Sequence, residues 1–136
     1  MSTSKNNLNQ MALANMAFSH SPYSNKKIGA SVLLSNGKSY SGCNIENASY
    51  GGTVCAERVA IWKAYSENLS EVKIQEVVVA SNEASPWPPC GFCRQVMAEF
   101  CTPETTVRLI NPAGLEIVFI FKNLFPEAFK PEHLNK

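Results

Sequence analysis

Two short stretches, Cys55-Ala56-Glu57-Arg58 and Pro89-Cys90-Gly91-Phe92-Cys93, narrow the folds open to this chain more than any other feature. Each places a cysteine at the start of a predicted helix. Cys90 and Cys93, three positions apart, share one helix face and can grip a single ion. A helix N-terminus carries unpaired N–H groups and a partial positive charge, which favours the thiolate form that binds metal. A fold that brings both helix starts together at a sheet edge would enclose one Zn²⁺ with Cys55, Cys90 and Cys93. Three sulfurs leave a tetrahedral ion one position open to water.

The residues after Cys55 sharpen that expectation. Between Glu46 and Lys63 only Glu57 and Arg58 carry a formal charge. Helical spacing puts Glu57 on the apolar stripe of Val54, Ala60, Ile61 and Ala64, where a carboxylate needs a reason. Beside a water on zinc it would move protons without being a ligand. Three thiolates over-neutralise the ion and lower its Lewis acidity; a guanidinium hydrogen-bonded to a ligating sulfur, the role expected of Arg58, draws that charge off.

Plainer readings stand beside this one. Cys90 and Cys93 suit a structural zinc knuckle, although that site needs a second pair and neither Cys43 nor Cys101 has one nearby. Trp87 ahead of Cys90 suits a thioredoxin-like redox motif, which leaves Cys55-Ala56-Glu57 without a task. Glu57 taken alone could be a charge turned to solvent by helix register. Cys43 and Cys101 read as small buried fillers.

The other elements are predicted from pattern and punctuation. Leu8, Met11, Ala12, Asn15 and Met16 have helical spacing, ended by Ser21-Pro22. Strands are expected at 28–34 and 39–45, joined by Asn36-Gly37, which suits the positive φ angles of a tight hairpin. A helix over 54–68 precedes a strand at 76–80. A proline-rich loop at 85–89 opens the helix of 90–100, and strands at 106–110 and 116–121 flank the turn 111–114. A last short helix is expected over 124–129. Helices among about five strands indicate an α/β domain with a mixed sheet.

At 136 residues the chain reads as one domain, 1–136, large enough to bury a core without disulfides. A net charge of +1, with no basic block longer than Lys26-Lys27, argues against a nucleic-acid partner and for a small neutral ligand or a protein contact. Charged residues make up 17% of the chain; against an average of about a quarter, this points to surface covered by oligomerisation. Met1–Gln10 has no apolar signal core, and the apolar run 117–121 is too short to span a bilayer. A soluble, cytoplasmic protein is therefore expected, with no membrane partner.

Cys-Ala-Glu followed by Pro-Cys-x-x-Cys is the three-thiolate form of the zinc nucleobase deaminase signature, whose chemistry is established for that class rather than deduced from this chain. PYSNKKIGA at 22–30, GCNIENASYGGTVCAERVAI at 42–61, PCGFCRQV at 89–96 and LFPEAF at 124–129 resemble, in order, the motifs of small homotetrameric cytidine deaminases. The resemblance implies a three-layer fold with a five-stranded mixed sheet packed with helices, one Zn²⁺ per subunit, and a homotetramer whose active sites are completed by neighbouring subunits. It implies that Asn44 and Glu46 hydrogen-bond the ribose 3′-hydroxyl, an accepting and donating group that suits an amide and a carboxylate. Ala56 falls among the substrate-binding positions. Ala48 and Tyr50 match positions that reach a neighbour's ribose 5′ end, and Phe129 matches an aromatic near the base.

Two positions depart from the family pattern. Lys26 stands where an aromatic ordinarily stacks on the pyrimidine, a contact of about 1–3 kcal/mol if nothing replaces it. Either other aromatics take over, or Lys26 makes a cation–π or polar contact, or the substrate differs. Trp87-Pro88-Pro89 stands where a Ser-Pro pair is commoner. The expected reaction is hydrolytic deamination of cytidine and deoxycytidine to uridine and deoxyuridine with release of ammonia, a step of pyrimidine salvage. The alternative within the class is a deaminase of a modified cytosine nucleoside such as blasticidin S, which Lys26 keeps open. In another class, the alternative is a zinc-stabilised binding module without turnover.

Overall fold

The computed structural model describes residues 4–135; residues 1–3 and 136 of the span read as one domain lie outside it. Helix α1 (Lys5–Asn15) is followed by strands β1 (Ile28–Leu34) and β2 (Ser39–Cys43), helix α2 (Ala56–Tyr65), β3 (Ile74–Ser81), α3 (Gly91–Phe100), β4 (Cys101–Ile110), β5 (Glu116–Ile120) and the single-turn α4 (Phe121–Leu124). The strands form one sheet in the order β2-β1-β3-β4-β5. Only β3 and β4 run parallel, because α3 carries the chain back between them; the other neighbours are antiparallel.

Alternation along β3 assigns the two faces of the sheet. Val78 and Ala80 pack with Leu33, Ile110 and the α1 residues Leu8 and Ala12. Val77 and Val79 point the other way, into a core with Ala30, Val32 and Leu109 from the sheet, Ala60, Ile61 and Ala64 from α2, and Met97 from α3. The result is the expected helix–sheet–helix layering. Two glycines allow the close approach of these layers. A Cβ on Gly29 would lie 1.8 Å from the Ala12 carbonyl oxygen, and one on Gly42 would lie 2.7 Å from the Ala60 nitrogen.

Register then places the chemistry. Ile28 pairs with Ser81 and Gly29 with Cys43, so β1 begins where β2 and β3 end. α2 follows β2 and α3 follows β3, so both helices start from the same end of the sheet. Beyond β2 the chain stays tied there: Ile45 exchanges two hydrogen bonds of 3.0 Å with Val54, and Glu46 N–H donates to the His20 carbonyl at 2.8 Å.

Three expectations are corrected. Asn36-Gly37 does not make a two-residue hairpin turn: only Gly37 has positive φ, at 87°. Gly37 N–H donates to Leu34 O at 3.0 Å, and Leu34 N–H to Lys38 O at 2.8 Å, the three-residue loop with a glycine bulge. The helix expected over 124–129 instead spans Phe121–Leu124. Pro126 disfavours the helical region for the residue before it, and Phe125 leaves the helix at φ −143°, ψ 68°. α2 stops at Tyr65, short of Asn68, because the Asn68 side chain takes the Ala64 carbonyl at 2.8 Å and the Tyr40 hydroxyl at 2.8 Å.

Candidate active site

Cys55 is the N-cap of α2 and Cys90 the N-cap of α3, where the Cys90 sulfur accepts the Cys93 N–H at 3.5 Å. The Cys55, Cys90 and Cys93 sulfurs lie within 4.8 Å of one another, and Cys55 and Cys90 are 3.8 Å apart. Sulfurs each about 2.3 Å from a tetrahedral zinc stand about 3.8 Å from one another, so the spacing fits the ion without rebuilding either helix start. Among the described residues, this cluster contains the three cysteines and no carboxylate or imidazole.

Without a metal, the surroundings drive two of the sulfurs apart in acidity. A hydrogen bond from the Cys93 thiol, with contributions from Arg58 and Cys90, outweighs burial and brings Cys55 down to about 5. Cys93 is pushed up because it donates to Cys55, is buried, and faces Glu57 and the other two sulfurs. Holding a metal with all three thiolates therefore releases the Cys93 proton.

Arg58 is buried and donates from Nη2 to the Cys55 sulfur at 3.5 Å. Its guanidinium carbon lies 4.0 Å from the Phe92 ring centre and 5.8 Å from that of Trp62. Two rings and one sulfur hold it, as expected of a group that draws charge off a ligand. Glu57 is only 4% exposed. Burial, with the Cys55 sulfur adding to it and Arg58 opposing, pushes its carboxyl up to about 7. A carboxyl balanced there at neutral pH can both take and give a proton.

Two of the sulfurs and the Glu57 carboxyl border a cavity of about 320 Å³. Cys55, Cys90 and Glu57 supply its chemistry, and Ser24, Lys26, Asn44 and Glu46 its polar lining. Ile28, Val79, Trp87 and Pro88 supply apolar wall. Asn44 is a structural hub as well as a lining residue. Its Oδ1 accepts from Ser19 Oγ at 2.6 Å and Ile28 N–H at 2.9 Å, and its Nδ2 donates to Lys26 O at 2.7 Å. Glu46 Oε1 accepts the Tyr23 and Ser24 N–H groups at 3.0 and 3.1 Å, and Oε2 accepts the Ser24 hydroxyl. These bonds hold the Glu46 carboxyl below its usual range, the Ser24 hydroxyl contributing most.

The remaining site candidates lie elsewhere. Ala56, the first residue of α2, is fully buried and does not line the cavity. Ala48 is exposed, and Tyr50 faces Tyr23 edge-on at 6.0 Å beside a neighbouring hollow shared with Glu46. Phe129 lies on the C-terminal segment, stacked on His133 at 5.3 Å, and does not border the cavity.

Lys26 does line the cavity, and its ammonium lies 3.3 Å from Glu83 Oε1 and 5.5 Å from the Trp87 ring centre. Sequence reasoning missed the part played by Trp87 and Glu83. The available signal was that Lys26 and Trp87 both depart from the family pattern, an aromatic lost at one position and gained at the other.

Comparison with known proteins agrees with this geometry. Residues 2–109 match the family model of the cytidine and deoxycytidylate deaminase zinc-binding region. The cytidine deaminase of Halalkalibacterium halodurans is 46% identical over 114 residues, covering 84% of this chain and 85% of its own length. A probable cytidine deaminase of Dictyostelium discoideum is 49% identical over 118 residues, covering 86% and 78%. The crystal structure of cytidine deaminase from Burkholderia pseudomallei superposes with a TM-score of 0.85 at 38% identity, covering 93% of this chain and all of that one. By that family match over residues 2–109 and by these identities over most of its length, this chain belongs to the zinc-binding cytidine and deoxycytidylate deaminase family.

Proposed function

We propose that this enzyme hydrolyses cytidine and deoxycytidine to uridine and deoxyuridine, water adding at C4 of the pyrimidine and the amino group leaving as ammonia. The observation that carries this reading is the buried Glu57 beside three sulfurs spaced for one zinc. Zinc, when held by Cys55, Cys90 and Cys93, supplies Lewis acidity at a water. Glu57 takes one proton of that water on its carboxylate and passes it to N3, then takes the proton of the new C4 hydroxyl and passes it to the departing amine, ending as the carboxylate it began as; this division of labour is established for zinc deaminases. Arg58 keeps charge off the Cys55 sulfur throughout.

Hydrogen-bond counting supports a ribose hydroxyl at Asn44 and Glu46. Both Asn44 Oδ1 lone pairs are taken by protein donors, and one Nδ2 proton remains. Glu46 Oε1 has accepted two donors, and Oε2 one, which leaves it able to accept another. One donor and one acceptor are what a hydroxyl pairs with. Ala48, Tyr50 and Phe129 are exposed away from their own cavity, which supports a role in a neighbour's site within a homotetramer. A single domain acting in cytoplasmic pyrimidine salvage completes the proposal.

Cytidine, deoxycytidine and blasticidin S offered in parallel, with absorbance loss recorded and zinc per subunit measured, test it. Turnover of the first two is expected, and Cys93→Ala should lose zinc and turnover together. Zinc-loaded protein that leaves both nucleosides unchanged, or that consumes only blasticidin S, overturns the assignment.

A further inference from the structure

Trp87 is the one aromatic among the residues lining the cavity, and its surroundings hold it still. It lies between Pro86 and Pro88-Pro89, with Pro86 and Pro89 buried. Proline fixes its own φ, and Pro88 confines Trp87 to extended backbone. Three side chains pin the loop: the Ser81 hydroxyl accepts the Trp87 N–H at 3.3 Å, Asn111 Nδ2 donates to Glu83 O at 2.9 Å, and Arg94 Nε donates to Pro89 O at 2.8 Å. The indole remains 41% exposed. Lys26 sits over it with its ammonium 5.5 Å from the ring centre, and Glu83 holds that ammonium by both oxygens at 3.3 and 3.4 Å.

A single exposed aromatic is unremarkable on a protein surface. An exposed one on a proline-locked loop, bordering the cavity that contains Glu57 and loaded by a clamped cation, is a built surface. We propose that Trp87 is the platform on which the pyrimidine ring stacks, and that Lys26 and Glu83 are positioning residues that fix the indole and leave its other face for the base. The proposal rests on the nucleoside reading above and adds the residue that selects a planar heterocycle. It explains how this chain manages with lysine at position 26: the cation works through the indole instead of touching the substrate.

Steady-state kinetics on cytidine with zinc-loaded variants test the platform. Trp87→Leu should raise KM about 5- to 100-fold, the range for losing one stacked base, with kcat changed less than about threefold and zinc content unaltered. Trp87→Phe should restore KM to within about threefold of wild type. Lys26→Gln should raise KM about two- to tenfold, and should add nothing once Trp87 is leucine. Saturating uridine should change the tryptophan emission of the wild-type protein but not that of Trp87→Phe. An unmoved KM in Trp87→Leu, with wild-type turnover intact, overturns the platform alone. A Lys26→Gln effect that persists in full in Trp87→Leu overturns the positioning role and places Lys26 on the substrate. A wild-type protein that turns over neither cytidine nor deoxycytidine removes the reaction and the platform with it.

Discussion

The floor of the cavity and its rim are built on different principles. On the floor, the meeting of Cys55 with Cys90 spans 35 positions, but within each helix start Arg58 reaches Cys55 and Cys93 reaches Cys90 across three positions each. Helix geometry alone makes those pairs neighbours. On the rim, Asn44 meets Ser19 across 25 positions, Glu46 meets Ser24 across 22, and Lys26 meets Glu83 across 57. Those pairs exist only once the sheet end has been assembled. The proton carrier and one ligand of the floor are buried, Glu57 at 4% and Cys93 at 0% exposure, whereas Trp87 on the rim is 41% exposed. The local pairs of the floor are thus set by short-range geometry, whereas the meeting of its two halves and the fit to the substrate need long-range contacts.

If that division holds, damage to the floor should strike kcat and damage to the rim should strike KM. The largest effect is expected from Glu57→Gln, which keeps the shape of the buried side chain and removes its proton-carrying role. A loss of about 10²- to 10⁴-fold in kcat, the usual scale for a positioned acid–base group, should appear with zinc content and KM little changed. Near-wild-type kcat in that variant would show that protons travel by another route.

The same division sets how much of the molecule could be read from its sequence. Cys55, Glu57, Arg58, Cys90 and Cys93 were legible because helix periodicity fixes the neighbours within each helix start and the metal chemistry of three thiolates calls for the two starts to meet, and the structure brings all five together. The five strands and the mixed character of the sheet followed from short strand-like runs interspersed with helices, and the structure adds that β3 and β4 are its parallel pair. The end of α2 was misjudged because Asn68, itself past the last turn, closes it with a side-chain bond that no periodicity reveals. Trp87 was noticed but given no role in the cavity, since its value comes from Lys26 and Glu83, two residues that nothing local connects to it.

An intermediate effect is expected from Arg58→Met, which keeps much of the side-chain bulk between Phe92 and the Cys55 sulfur but removes the charge. Outer groups that orient and tune metal ligands are worth about 10- to 100-fold in affinity or activity. Zinc retained against a chelator and kcat measured on the same preparations separate the two consequences. If neither falls, the guanidinium serves only to pack Phe92 of α3 against Trp62 of α2.

Asn44→Ala gives the smallest effect and the sharpest view of the rim, because two roles of one side chain must be told apart. The substitution leaves the Ile28 N–H and the Lys26 carbonyl without the Asn44 side chain, while the Ser19 hydroxyl keeps Ser21, so a lower melting temperature is expected whatever the ligand does, at about 1–3 kcal/mol for buried groups left unpaired. Its effect on KM carries the information about substrate. A remaining Nδ2 proton given to a ribose hydroxyl is worth about 2- to 10-fold in KM, and wild-type enzyme should show a penalty of that size for a nucleoside lacking the 3′-hydroxyl. In Asn44→Ala that penalty should shrink, because the partner of the hydroxyl is already gone. A penalty that survives undiminished would assign Asn44 wholly to the architecture of the rim and leave Glu46, already holding the Tyr23 and Ser24 amides, as the group that meets the sugar.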